Sequence, residues 1–231
     1  ADDRDGLPAV SGFIEPHPDL VEPNPGGADD PLCESVLDPL SPWLRLHEPH
    51  DVRLVIGRHQ DPERELQTGV ARADRIPIHR RVSGGGAVVL APGMLLIALR
   101  LRNTLLGTSC WFDLINGVLA PAIGTLAGHL PTTRGHGDLT LASADGQPRK
   151  ILGASLRQTA RAVYYLAAML VEDQSALMER YLKAPSREPQ YRLGRRHGDF
   201  CTHLSHWGVT VPRASAAIGQ ACRAQLAPHA L

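Results

Sequence analysis

Three short stretches of this chain carry residue types that do chemistry on anionic ligands. The first is HRRVSGGGAVVL, residues 79–90, where Arg80, Arg81 and Ser83 precede the consecutive glycines Gly84, Gly85 and Gly86 and then Ala87. Glycine weakens a strand and raises the entropy cost of ordering it, so a triplet beside strand-forming valines answers another demand. Successive backbone N–H groups without side chains form a concave nest for an anion, and a ligand can lie directly on the main chain. Two adjacent guanidinium groups can neutralise a phosphate or carboxylate through paired hydrogen bonds. Taken alone, the triplet reads equally as a flexible turn with its arginines in solvent. It is neither a Walker A loop, since no Gly-Lys-Ser/Thr follows, nor a dinucleotide-binding GxGxxG.

The second stretch is GQPRKILGAS, residues 146–155. Lys150 opens a predicted strand just before Gly153 and Ala154, whose small size leaves space on a sheet surface. An ammonium there can meet negative charge developing on a carbonyl or phosphoryl oxygen; the plainer alternative is a solvated lysine after a turn. Basic residues are almost all arginine, Lys150 and Lys183 being the only lysines, so a compact, rotatable ammonium at 150 invites a reason. The third stretch is HGDL, residues 136–139. Its Asp138 can hold Mg²⁺ together with a nucleotide's phosphates, because magnesium takes one or two carboxylates plus substrate oxygens. It can equally be a turn residue.

The elements that must position these residues follow from pattern. DVRLVIG, 51–57, is a strand closed by Gly57, and a polar loop with one helical turn follows it. RIPIHRRVSGGGAVVLAPGMLLIALRL reads as two or three strands broken by SGGG and by the Pro92-Gly93 turn. Trp111, Leu114, Ile115, Val118, Leu119, Ala122, Ile123 and Leu126 share one helical face, with Pro121 expected to bend or divide that helix. DLTLAS and RKILGASLR form a strand pair joined through Asp145-Gly146, and RAVYYLAAMLV is a longer buried strand. DQSALMERYL is a short helix, KAPSREPQYRLGRRHGDF is basic and aperiodic, and a last helix covers about residues 214–226. Strands dominate and hairpins outnumber parallel crossovers. The expected fold is α+β, a mostly antiparallel mixed sheet with helices packed on it.

Composition narrows the function classes. Apolar residues make up 43% of 231, and formal net charge is zero, so no global basic bias points to nucleic acid and any electrostatic site is local. No uninterrupted apolar run reaches bilayer length, and no secretory signal opens the chain, so no membrane partner is expected. Cys33, Cys110, Cys201 and Cys222 are scattered without a CxxC pair, which speaks against a structural zinc site and fits a reducing cytoplasm. Residues 1–30, rich in Pro, Gly and Asp, read as a poorly ordered leader, and 31–231 as one domain.

Taken in order, these motifs resemble the lipoate–protein ligase family, a relative of biotin–protein ligases and octanoyltransferases. The family shows IGR-x-Q-x-P-x-x-E, RR-x-SGGGAV, a DL strand and G-x-K-x-x-G-x-S. This chain supplies Ile56-Gly57-Arg58 with Gln60, Pro62 and Glu65, Arg80-Arg81 with Ser83 to Val88, Asp138-Leu139, and Lys150 with Gly153 and Ser155. The resemblance covers roughly residues 35–205 and implies a glycine loop wrapped around an acyl-adenylate. Lys150 is then the catalytic electrostatic residue, Arg80, Ser83 and the glycines cradle the acyl-phosphate, and Asp138 is the magnesium or nucleotide residue. ATP and Mg²⁺ are the implied cofactors, lipoate or octanoate the substrate, and a lipoyl-carrier domain the partner. Val88 and Leu90, with Leu96 and Ala98 opposite, are expected along the aliphatic chain.

The chain also departs from the pattern. His136-Gly137 stands where many relatives have Arg-Asn, and Tyr164, Tyr165 and Ala167 stand near a usual His-Gly-Thr. About 25 residues follow Trp207, too few for the carboxy-terminal accessory domain of bacterial ligases, so a separate chain is an expected partner. Two alternatives stay open: an octanoyl or lipoyl transferase acting without ATP, and a non-catalytic binder of lipoate or a lipoyl domain. For a transferase, Cys110 and Cys201 are the thiols to consider, both read as idle. Arg187, Arg192, Arg195 and Arg196 either dock an acidic carrier domain or belong to a solvated tail. His136, His197, His203 and His206 are read as surface or loop residues.

Overall fold

The computed structural model describes residues 21, 22, 24, 30–143 and 146–231; the expected leader and Asp145 lie almost wholly outside these. Its centre is β5, Met94–Arg102, whose near-continuous apolar run is the signature of a strand buried on both faces. Around it lies an antiparallel six-stranded sheet in the order β1 (Leu44–His47), β5, β9 (Ala162–Leu170), β8 (Pro148–Gln158), β7 (Asp138–Ala142), β6 (Thr132–Arg134). A second sheet has β2 (Arg53–Ile56) between β3 (Ile78–Arg80) and β4 (Val88–Leu90), with β2 parallel to β3 and antiparallel to β4. The mixed α/β fold with mostly antiparallel pairing is the one the sequence pattern predicts.

Alternation along β5 divides the core in two. Leu95, Ile97, Leu99 and Leu101 join the cluster under helices α3 (Thr108–Ala127) and α6 (Val211–Leu226). Met94, Leu96 and Ala98 join Leu54, Ile56 and Val89 of the small sheet. The layers therefore run helices, large sheet, small sheet. Burying each Leu or Ile side chain favours this arrangement by roughly 1.5–3 kcal/mol. By length and composition α3 is apolar enough to cross a membrane, with mean hydropathy 1.4. In this fold its Trp111, Ile115, Leu119 and Ile123 are fully buried against the sheet. The helix runs unbroken through Pro121 and ends at Gly128, which has φ 79°, the left-handed conformation that closes helices.

The polar stretch after β2 holds two short helices, α1 (Pro62–Glu65) and α2 (Thr68–Ala73), where one turn is expected. Asp61 caps α1 by accepting from the Glu63 N–H. Helix α4, Ser175–Tyr181, follows β9, and Asp173 accepts from the Ser175 N–H at its start. The aperiodic basic segment beyond it forms no long element. It forms a strap from Lys183 to Cys201 with a 3-10 turn at Gln190–Arg192 and one short α-helix, α5 (His197–Phe200).

Candidate active site

The glycine loop is shaped from behind. Arg81 is only 4% exposed, and its Nε and Nη2 donate to the Gly84 carbonyl at 3.0 and 2.6 Å while Nη2 also donates to Gly86 at 2.8 Å. Burial lowers its pKa to about 10, which leaves it charged at neutral pH. Arg80 Nη1 donates to the carbonyls of Gly57, Arg58 and Gln60, so it ties down the neighbouring IGRHQ loop. The two loops touch: a Cβ at Gly57 would lie 2.2 Å from the Gly85 carbonyl oxygen, and the Arg58 N–H donates to Ser83 O at 2.9 Å. Ser83 and Ser155 share a buried 2.8 Å hydroxyl contact that pins the loop to β8.

Arg80, Arg81, Ser83 and Ser155 thus stand behind the site. Among the described residues lining the cavity, none of the four appears. Arg80 Nη1 and the Arg81 guanidinium donate to backbone carbonyls, and the Ser83 and Ser155 hydroxyls meet each other. Gly84, Gly85, Gly86 and Ala87 do line the cavity, and the spaces where Gly84 and Gly86 side chains would project are open. A ligand can therefore lie against this main chain, as an anion nest requires.

Lys150 reaches the same cavity through a bulge. β7 and β8 pair Leu139 with Leu152 but Thr140 with Lys150, leaving Ile151 as one extra residue. Ile151 and Leu152 both sink into the helix-side core, and Lys150 stays on the face of Gly153 and Ser155. Its ammonium lies over Gly153, where a Cβ would come within 2.6 Å of both Cε and Nζ. Nζ sits 2.8 Å from Asp138 Oδ1, and the Tyr191 hydroxyl donates to Asp138 Oδ2 at 2.7 Å. Gly137, with φ 136°, lets the chain pass the Phe112 ring, where a Cβ would meet ring carbon at 2.5 Å, and so places Asp138 at the head of β7.

These groups converge on one cavity of about 1290 Å³. Gly84–Ala87 form one wall, Asp138, Lys150 and Gly153 another, and the strap from Lys183 to Cys201 a third. Val88, Val89, Met94, Ala168, Leu170 and Met178 line an apolar arm. Val88 lies where expected. Leu90, Leu96 and Ala98 do not line the arm, because they are buried between the two sheets, at 2%, 0% and 0% exposure.

The lipoyl protein ligase A/B catalytic-domain family matches this chain over residues 27–221. The chain belongs to that family. Its fold is similar to a bipartite lipoate protein ligase from Thermoplasma acidophilum, described with its E2 lipoyl domain, at TM-score 0.69 and 20% identity over 80% of this chain and 71% of that one. It is similar to lipoate-protein ligase A bound with ATP, at 0.65 and 22% over 80% and 72%. It also resembles P. falciparum LipL1 in complex with lipoate, at 0.63 and 18% over 80% and 50%. At such identities these likenesses show the shared fold.

Several residues of this lipoyl ligase domain have roles that motif spacing did not reveal. Gln60 accepts from the Gly57 N–H at 2.7 Å, fixing the turn that meets Gly85. Glu65 is 4% exposed and accepts from the Ser186 hydroxyl and N–H, which anchors the strap. Tyr191 lay in an aperiodic segment with no sequence signal for its role. Burial, then the Asp138 charge, pushes its hydroxyl pKa up, so it stays a neutral donor. His136, an exposed turn residue as expected, and His197 both line the cavity, and burial followed by Arg192 lowers the His197 pKa. Arg192 and Arg195 stack on Phe200 at 4.8 and 5.3 Å, and Arg195 donates to Pro148 and Tyr191 carbonyls. Those two arginines build the strap. Cys201 faces the cavity, but burial raises its pKa, and Cys110 does not line it.

Asp138 would keep lone pairs for a magnesium ion shared with a nucleotide's phosphates: one carboxylate oxygen faces the Lys150 ammonium and the other accepts from the Tyr191 hydroxyl. No group of three or more His, Cys, Asp or Glu side chains suited to a metal occurs among the described residues.

Proposed function

We propose that this domain activates lipoate, or octanoate, as an acyl-adenylate and transfers the acyl group to a lysine of a carrier domain. A carboxylate is a poor acyl donor because its oxygen leaves reluctantly. Attack of that oxygen on the α-phosphorus of ATP, with departure of pyrophosphate, makes a mixed anhydride. The carrier lysine's amine then attacks the acyl carbon, and AMP leaves with the electron pair of the broken C–O bond.

The observation that carries this reading is the convergence of an open glycine loop, a buried-edge ammonium and an apolar arm on one cavity. The backbone of Gly84–Gly86 is exposed towards the phosphate, and the Lys150 ammonium offsets charge growing on the acyl or phosphoryl oxygen. The apolar arm takes the aliphatic chain, and the strap keeps out the water that would hydrolyse the anhydride. Fold relatives captured with ATP and with lipoate support this, and the bipartite relative supports an accessory chain supplied in trans.

The test is to mix synthetic lipoyl-AMP with the protein and a lipoyl domain and follow the domain's mass, which bypasses any accessory chain. The wild type is expected to add one lipoyl group, and Lys150→Ala to slow transfer by about a thousand-fold, the scale of losing one key charge-stabilising donor. Near-wild-type transfer by a folded Lys150→Ala protein refutes the mechanism. Mass gain on the protein itself at a cysteine, without ATP, points to the transferase instead.

A further inference from the structure

Charge at the cavity mouth is one-sided. Three exposed arginines line it: Arg64 from α1, Arg187 from the strap and Arg134 from the end of β6. They stand along one rim. Ser186 is held to Glu65, the residue after Arg64, so Arg187 lies next to α1. Further on, the strap reaches β6, where a Cβ at Gly135, the residue after Arg134, would lie 3.8 Å from Pro189 and 3.9 Å from Tyr191. Among the described residues, no side-chain hydrogen bond or ion pair holds any of the three guanidinium groups. The carboxylates lining the cavity are committed elsewhere: Glu65 to Ser186, Asp138 to Lys150 and Tyr191, and Glu188 to Arg192 at 3.7 Å. In a chain whose formal net charge is zero, this leaves a local positive rim.

We propose that this arginine rim docks an acidic face of the carrier domain and selects acceptor lysines flanked by carboxylates. This rests on the acyl-transfer reading given above and adds the charge that its protein substrate must carry. The incoming amine sets the requirement. A lysine side chain, with an ordinary pKa of about 10.4, arrives almost wholly as an ammonium. Three guanidinium charges at the mouth repel it. Carboxylates beside that lysine on the carrier reverse the sign of the encounter: each can take a paired hydrogen bond from an arginine, and together they speed association and fix its register. The sequence offers Arg187, Arg192, Arg195 and Arg196 for such a role. Three of these are occupied: Arg192 and Arg195 stack on Phe200, and Arg196 meets Glu179 at 3.2 Å. Arg187 is left, and the fold joins it to Arg64 and Arg134 from distant parts of the chain. The β- and γ-phosphates of ATP would also be drawn to this rim. Lipoyl-AMP has neither, so transfer from it reads docking alone.

The experiment measures transfer from synthetic lipoyl-AMP to two acceptors: a lipoyl domain with carboxylates beside its lysine, and Nα-acetyl-lysine amide, a cation without a carboxylate. Wild type is compared with the double variant Arg64→Glu/Arg187→Glu and with Arg134→Gln. The last is kept neutral because residue 134 stands opposite Asp138 across the β6–β7 pair. The double variant is expected to raise KM for the domain about ten-fold or more with kcat within about two-fold, since rim charges act on encounter. It is expected to speed, not slow, transfer to the small cationic acceptor. Arg134→Gln shifts both readings the same way by less, and carries the test if the double variant does not fold. Wild-type transfer to the domain is expected to fall several-fold between about 20 and about 200 mM salt, a dependence that the double variant loses. Changing the domain's flanking carboxylates to amides reproduces the loss in wild type. Folded variants with unchanged KM and salt dependence overturn the proposal, the result also expected if the rim serves ATP alone. Variants that lose both acceptors alike overturn it as well, because the rim then serves the chemistry or the fold. A wild type that transfers to neither acceptor removes the reading beneath it.

Discussion

A methyl group at residue 57 would meet the Gly85 carbonyl oxygen at 2.2 Å, and one at residue 153 would meet the end of the Lys150 side chain at 2.6 Å. The two clashes differ in kind. At residue 57 the obstacle is backbone held by hydrogen bonds to Arg58, Gln60 and Arg81, which cannot step aside without moving both loops. Gly57→Ala is therefore expected to cost roughly 1–3 kcal/mol, the usual range for overpacking, read as a lower melting temperature together with weaker lipoyl-AMP binding. At residue 153 the obstacle is the tip of a flexible chain. Gly153→Ala is expected to leave the melting temperature within a few degrees yet slow transfer by about ten- to a hundred-fold, because a displaced ammonium no longer meets the developing charge. Equal effects of the two substitutions on stability contradict this account. Both glycines stand in motifs visible in the sequence, yet the different reasons for them could not be read there. Each reason is a distance in the folded chain: Gly57 meets a loop 28 residues on, and Gly153 meets the tip of a side chain that the bulge turns back over it.

The bulge at Ile151 and the strap from Lys183 to Cys201 are the two elements that turn a sheet edge into a cavity. Strict alternation would send Lys150 to the helix face with Leu152; one extra residue keeps it with Gly153 and Ser155. A bulge leaves no mark in composition, so RKILGASLR reads simply as a strand. The strap has no period because nothing in it repeats. It is held by individual contacts: Ser186 to Glu65, Tyr191 to Asp138, Arg195 to the Pro148 carbonyl, and the Thr202 N–H to the Lys150 carbonyl at 2.9 Å. Removing the first anchor with Glu65→Ala is expected to speed trypsin cleavage after the exposed Arg187 by about ten-fold, since local opening sets the rate of such cuts. An unchanged cleavage pattern shows that the strap does not depend on Glu65.

At the scale of the molecule, the cavity exists because the small sheet docks on one face of the large one while α3 and α6 cover the other. Titration of groups spread over this assembly sets its acid sensitivity. His47, His197 and His203 are each held below the ordinary value of 6.5, by burial first and then by Arg45, Arg192 and His206 respectively. Their folded-state rings bind protons more weakly than the unfolded chain does. Stability is therefore full above the unfolded value and falls as pH drops through it, until the folded values are passed. The melting temperature is expected to decline between about pH 7.5 and about pH 5.5, and a flat profile over that window contradicts the assignment.

The order of motifs, the doubly buried β5 and the apolar face of α3 were fixed by residue type and local spacing, because burial and backbone freedom act within a few residues. Those signals sufficed for the family and the mixed sheet, and they pointed to Lys150 as a candidate. Which arginines line the cavity and which brace the loop, and the Tyr191–Asp138–Lys150 chain of contacts, were decided only by tertiary structure. Each depends on what a side chain meets across a loop, across a strand pair or, for Tyr191 and Asp138, 53 residues along the chain, a roughly 3 Å condition of hydrogen bonding that linear order does not encode.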